Sequence, residues 1–226
     1  MAFTAKDVQT LREKTGCGMM DCKKALVECD GNMDAAVDFL KKSGAAKMEK
    51  KASRIAAEGI ARVAVEGNAA VVAEVNSETD FVSKNVEFVE FVEGLAKVAL
   101  DAETTDIEAF KAMAFDGVTV ADALTAKIAK IGENLSIRRI EKVSADVVTS
   151  YVHGGGRIGA IVAGTGEATD AVREALTNVA MQIAAMNPQY VSRNDISTEE
   201  LVKMHDITLE SALNDPFTLP KPILNA

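Results

Sequence analysis

VVAEVNSETDFVSKNVEFVEFVEGLAKVAL, residues 71–100, is the stretch in which the chain changes period. Val71–Val75 reads as a strand, and Val86–Leu100 carries Phe88, Val92, Leu95 and Ala99 at helical spacing. Between them NSETDFVSKN, Asn76–Asn85, is built from residues that favour caps and loops, with one bulky ring, Phe81, beside an acid, Asp80. Two readings compete for Phe81. One continuous helix would align Phe81, Phe88 and Leu95 as a core stripe. A helix starting late, at Ser83 or Asn85, with Thr79 and Asp80 capping on their own, would leave Phe81 on a loop. A Phe held out beside a carboxylate is the sort of group that anchors an interface. Periodicity alone leaves both readings open.

Upstream, ARVAVEGNAAVVAEV reads as strand, tight turn at Glu66-Gly67-Asn68, and strand: a β-hairpin opening at Ile60. Downstream, helical segments are expected around 106–115 and 119–131, then IGENLSIRRIEKV (Ile131–Val143) as a loop feeding a strand. VVTSYVHGGGRIGAIVAGTG is a second hairpin, with Gly154–Gly156 as its turn. The helix VREALTNVAMQIAAM follows, and Asn187-Pro188 ends it. Hairpin, acidic loop ending Thr-Asp-x-Val, and apolar-striped helix therefore occur twice, which suggests a duplicated α+β unit. The second copy has Ala171 where the first has Phe81, so the unit does not demand a large side chain there.

Three short helices precede the core. Thr4 and Asp7 are spaced to cap the first, whose apolar face is Val8 and Leu11; Thr15-Gly16-Cys17-Gly18 breaks it. The second places Cys22, Ala25, Leu26 and Cys29 on one side and stops at Asp30-Gly31. The third carries Met33, Ala36, Val37 and Leu40 and is expected to end at Gly44. From Lys41 to Arg54 six of fourteen residues are basic and only Glu49 is acidic, which reads as a solvated helical linker; a phosphate-binding strip would want interleaved aromatics.

Composition narrows the function. Hydrophobic residues make up 48% and charged residues 26%, an ordinary folded chain, while 34 acids against 25 bases give a net charge of −9. An acidic surface repels phosphate backbones, so direct nucleic-acid binding is disfavoured and a protein partner favoured. Cys17, Cys22 and Cys29 match no zinc spacing and read as reduced thiols facing a small helical core. MAFTAKDVQ has no apolar signal segment and no run reaches ~20 apolar residues, so a cytoplasmic protein with no membrane partner is expected. His153 and His205 stand apart, and Gly154–Gly159 lacks the strand–turn–helix setting of a nucleotide fingerprint. Nothing in the residues points to an enzyme, a cofactor or a resident metal.

LREKTGCGMMDCKKAL (Leu11–Leu26), NSETDFV (Asn76–Val82), KIGENLSIRR (Lys130–Arg139) and YVHGGGRIG (Tyr151–Gly159), in that order, resemble the elongation factor Ts family over about residues 3–192. The resemblance implies a ubiquitin-associated-like module at 1–45, a basic helical linker at 46–59, and a duplicated core with halves at 60–140 and 141–192. It also implies guanine-nucleotide exchange on elongation factor Tu, bound first as the GDP form and held nucleotide-free until GTP enters. Thr79, Asp80, Phe81 and Val82 would act near the partner's Mg²⁺ site, with Phe81 as a wedge and Asp80 as a polar contact. Arg12, Met19, Met20 and Lys23 match contacts to the partner's nucleotide domain; Ile131, Gly132 and His153 match further interface positions. Residues 193–226 depart from the family, whose members continue into a coiled-coil excursion and return. Here a helical tail containing Pro216, Pro220 and Pro222 is expected, as a truncated or a shortened version, with the second half incomplete. An adaptor that merely binds a partner through the first module is the alternative, and it would leave nucleotide release unchanged.

Overall fold

The computed structural model describes residues 3–214. Two compact units divide the chain, Met1–Ala185 and Met186–Ala226. In the first, α1 (Ala5–Thr15), α2 (Met19–Glu28) and α3 (Met33–Lys51) form the N-terminal module. Thr4 and Asp7 make a reciprocal capping box, each side chain accepting from the other's backbone N–H. Val8, Leu11, Cys22, Ala25, Leu26, Ala36 and Leu40 are its buried core, with Cys17, Cys29, Met33 and Val37 packed around them. The three cysteines are free thiols.

The expected stop at Gly44 is overturned: α3 runs on to Lys51 through the first half of the expected linker. Gly44 does not adopt a positive φ, and a Cβ there would make ordinary contacts with the methyl carbons of Thr125 and Ala129, at 3.5 and 3.9 Å. Gly44 is an interior helical residue at which α3 does not end and a methyl group would fit.

β1 (Glu58–Glu66) and β2 (Ala69–Ser77) are the first hairpin, paired in register from Glu58↔Ser77 to Glu66↔Ala69. β1 thus begins inside the residues expected as linker. Then come α4 (Asp80–Ser83), α5 (Val86–Asp101) and α6 (Ile107–Lys111). The helix expected over 106–115 stops early, because Ala114–Phe115 (β3) turns back through Asp116-Gly117 onto Val118–Thr119 (β4). α7 (Val120–Ile131) and β5 (Ser136–Ser144) complete this half. β5 pairs antiparallel with β2 as far as Ser144, so it crosses the boundary expected at 140–141. The sheet order is β1-β2-β5.

One face of that sheet, Ile60, Val71, Ala73 and Val75, packs on Phe88, Phe91, Val92, Leu95, Ala96 and Ala99 of α5 and on Val120, Leu124 and Ile128 of α7. The alternating face carries Ala61 and Val72, and it packs so closely on Gly159 of the second hairpin, β6 (Val147–His153) with β7 (Ile158–Gly164), that a Cβ there would lie 2.9 Å from the Val72 side chain and 3.0 Å from that of Ala61. Gly164 on the far face in turn admits Leu176 of α8 (Asp170–Met186). The layers are helices, sheet, hairpin, helix. α5 buries six side chains and α8 only Ala180.

In the second unit a 3-10 turn, Arg193–Asp195, is closed by a capping box between Ser192 and Asp195. α9 (Thr198–Asn214) follows with no buried side chain. Pro216, Pro220 and Pro222, expected to break the tail, lie outside the described residues.

Candidate partner-binding site

Two caps in quick succession decide the position of Phe81. The Thr79 hydroxyl accepts from Val82 N–H at 3.4 Å and starts α4; the Ser83 hydroxyl donates to the Asp80 carbonyl at 2.8 Å. Asn85 Oδ1 then accepts from Glu87 and Phe88 N–H, at 2.9 and 3.4 Å, and starts α5 afresh. The interruption takes Phe81 off the stripe. Its side chain is 83% exposed, whereas Phe88 is 0% exposed. In the second copy the Thr169 hydroxyl accepts from Val172 N–H at 3.3 Å, the same cap at the same place, yet α8 continues unbroken. The break after Ser83 is what distinguishes the first copy.

α4 is anchored from below and from behind. Val82 is half-buried against the main core and Ser83 is buried. The Glu133 carboxylate accepts from Glu78 N–H and Thr79 N–H, both at 3.1 Å, and from the Thr79 hydroxyl at 2.6 Å. Reciprocally, Glu78 accepts from Asn134 N–H at 2.6 Å and pairs with Arg54 at 3.5 Å. Ile131, packed half-buried on the core, and Gly132, the left-handed cap of α7 at φ 90°, immediately precede this junction.

Asp80 is paired with Lys84. Lys84 donates to its carboxylate at 2.6 Å, and that bond and charge hold the carboxyl below the ordinary carboxylate range, with Arg157 adding to the effect. Arg157 comes from the turn of the second hairpin. Ala61 N–H of edge strand β1 donates to the Gly156 carbonyl at 2.7 Å, and Arg62 donates to the Gly155 carbonyl at 2.9 Å and to Glu93 at 3.2 Å. The exposed His153 ring, 2.9 Å from the Tyr151 hydroxyl, stands at the start of that turn.

The structure therefore gathers Thr79–Val82, Ile131, Gly132 and the turn after His153 into one region. Arg12, on α1, and Met19, Met20 and Lys23, on the first turns of α2, are all exposed, Met19 by 45% and Met20 by 74%. In the core of the same module, burial pushes the Cys22 thiol pKa up. Glu133, Lys84 and Arg157 were missed by sequence reasoning. The Asp80/Lys84 spacing of four could have revealed Lys84; Glu133 and Arg157 reach the site only through tertiary packing. Among the described residues, no group of three or more His, Cys, Asp or Glu could hold a metal ion, and no helix is long and apolar enough to cross a membrane.

A family model described as Elongation factor TS matches residues 78–225. The protein named Elongation factor Ts of Syntrophotalea carbinolica is 48% identical over 219 residues, covering 94% of this chain and 72% of the relative. Those of Clostridium novyi and Magnetococcus marinus are 47% and 46% identical over 220 and 217 residues, with the same coverage. On these matches the chain belongs to the elongation factor Ts family.

Proposed function

We propose that the chain, a guanine-nucleotide exchange factor for elongation factor Tu and not an enzyme in the covalent sense, releases GDP by pressing Phe81 into its partner. The 83% exposure of that ring, at a helix break absent from the second copy, is the observation that carries the reading. Asp80, ionised beside Lys84, supplies a polar contact next to the wedge. Val82 and Thr79 fix the turn from which both project.

In the partner, Mg²⁺ bridges the nucleotide phosphates and neutralises their charge, so displacing it weakens GDP binding. Exchange is linkage: the factor binds the nucleotide-free partner tightly to the same extent that it lowers nucleotide affinity, and GTP entry expels it. A thousandfold weakening of GDP needs ~4.1 kcal/mol of coupling. Full burial of one Phe supplies roughly 1.5–3 kcal/mol. The wedge falls short alone. Arg12, Met19, Met20 and Lys23 on the first module, and Ile131, Gly132 and His153 around the wedge, contribute the remaining contacts. The site of action is the cytoplasm, where the partner works.

The test is release of labelled GDP from elongation factor Tu with and without this protein. Acceleration supports the reading. An unchanged rate accompanied by binding would instead make the chain an adaptor.

A further inference from the structure

We propose that Glu133 is a positioning residue for exchange: paired with Glu78 across the base of α4, it clasps the backbone at 78–79 and fixes the direction of Phe81. The inference rests on the wedge function given to Phe81 above.

α4 is four residues long, far below the length at which a helix holds itself in water, so its orientation must come from outside. β2 ends at Ser77, and the next two N–H groups, of Glu78 and Thr79, both donate to one oxygen of Glu133 at 3.1 Å. The other oxygen takes the Thr79 hydroxyl at 2.6 Å. That hydroxyl is the cap of α4, since it also accepts from Val82 N–H. A carboxylate, a hydroxyl and a helix start are thus coupled in series, and the ring of Phe81 sits within the capped turn. Bonds to an ionised acceptor are about twice as strong as neutral ones. Glu78 returns the arrangement by accepting from Asn134 N–H at 2.6 Å, so each acidic side chain ties down the other's loop. Both oxygens of Glu133 face donors of this chain. Its role is therefore exercised through Phe81, and not by touching the partner.

The experiment compares Glu133→Ala, Glu133→Gln, Phe81→Ala and the Glu133→Ala/Phe81→Ala double variant. GDP release from elongation factor Tu is measured across factor concentration, and amide hydrogen exchange is measured on the free factor. Glu133→Ala is expected to lower the saturating release rate about tenfold, with a much smaller change in the half-saturating concentration. Glu133→Gln, which keeps a carbonyl oxygen for the two N–H groups, retains more. In the Phe81→Ala background, removing Glu133 costs nothing further. Amides of 78–83 exchange faster in Glu133→Ala while those of β1 and β2 do not. Unchanged exchange at 78–83 overturns the clasp, whatever the release assay gives. A Glu133→Ala loss that persists in full without Phe81 overturns the positioning role. A Phe81→Ala variant that releases GDP at full rate removes the wedge and the role given to Glu133 with it, and the exchange data separate that failure from a failure of the clasp.

Discussion

Replacing Phe81 and Phe88 by alanine, one at a time, performs the same chemical deletion at two positions that a continuous helix would place on one stripe. Phe88 is 0% exposed and packed in the main core; Phe81 is 83% exposed. Deleting a buried Phe costs about 3–5 kcal/mol, the lost transfer free energy plus the cavity left behind. At roughly 2–4 °C per kcal/mol for a chain of this size, Phe88→Ala should lower Tm by ~6–20 °C. Phe81→Ala removes a ring that water already surrounds, so its stability should stay within about 0.5 kcal/mol of the parent. The chain has no Trp, so unfolding in urea is best followed by far-ultraviolet circular dichroism. Equal destabilisation by the two substitutions, or a loss above ~1.5 kcal/mol for Phe81→Ala, would refute the displayed ring and restore the continuous stripe.

Gly44→Ala should stabilise by ~0.5–1 kcal/mol, because the new methyl meets Thr125 at an ordinary 3.5 Å within a helix; a loss in the same unfolding assay would argue that α3 ends there. Gly94→Ala should destabilise, since its Cβ would lie 2.8 Å from the Phe115 ring that packs edge-on to Phe91. Glu87 accepts from Lys130 at 2.6 Å and Lys127 at 2.9 Å, tying α5 to α7, and these bonds lower its pKa. Its stabilisation is therefore present above the unfolded carboxylate value and is lost as pH falls through the lower folded value. Glu87→Gln should cost ~0.5 kcal/mol near neutrality, limited by solvent screening, and nothing once the parent's carboxyl is protonated; Tm curves that stay parallel down to acid pH would contradict this. Amide exchange should be faster in β6, β7 and α8 than in β1, β2, β5 and α5, because α8 buries only Ala180 against six side chains in α5; equal protection would count against it.

Where signals were local, the residues announced the structure. Thr4 and Asp7 are three apart and form the capping box. Gly67-Asn68 and Gly154–Gly156 turn their hairpins, and the spacing of Phe88, Val92, Leu95 and Ala99 is the buried face of α5. Where packing overrode local preference, the reading failed. Gly44 looks like a stop, yet α3 runs through it where the helix packs against α7. Asp116-Gly117 is a hairpin turn signal, but its strands are two residues each, and Ala114–Phe115 falls inside the helix expected over 106–115. At the candidate site, Asn85 as a second cap was visible as one option, yet nothing local decided between it and a continuous helix. The Glu133 clasp joins residues 54 and 55 positions apart and had no local trace.

The most direct measurement is the rate of labelled GDP release from elongation factor Tu at saturating concentrations of the parent chain, Phe81→Leu and Phe81→Ala, each shown by circular dichroism to be folded. A ring acting as a wedge predicts parent above leucine above alanine, with leucine retaining part of the burial and alanine losing roughly 1.5–3 kcal/mol of coupling, ~10- to 150-fold in rate. Equal rates for all three proteins would contradict it.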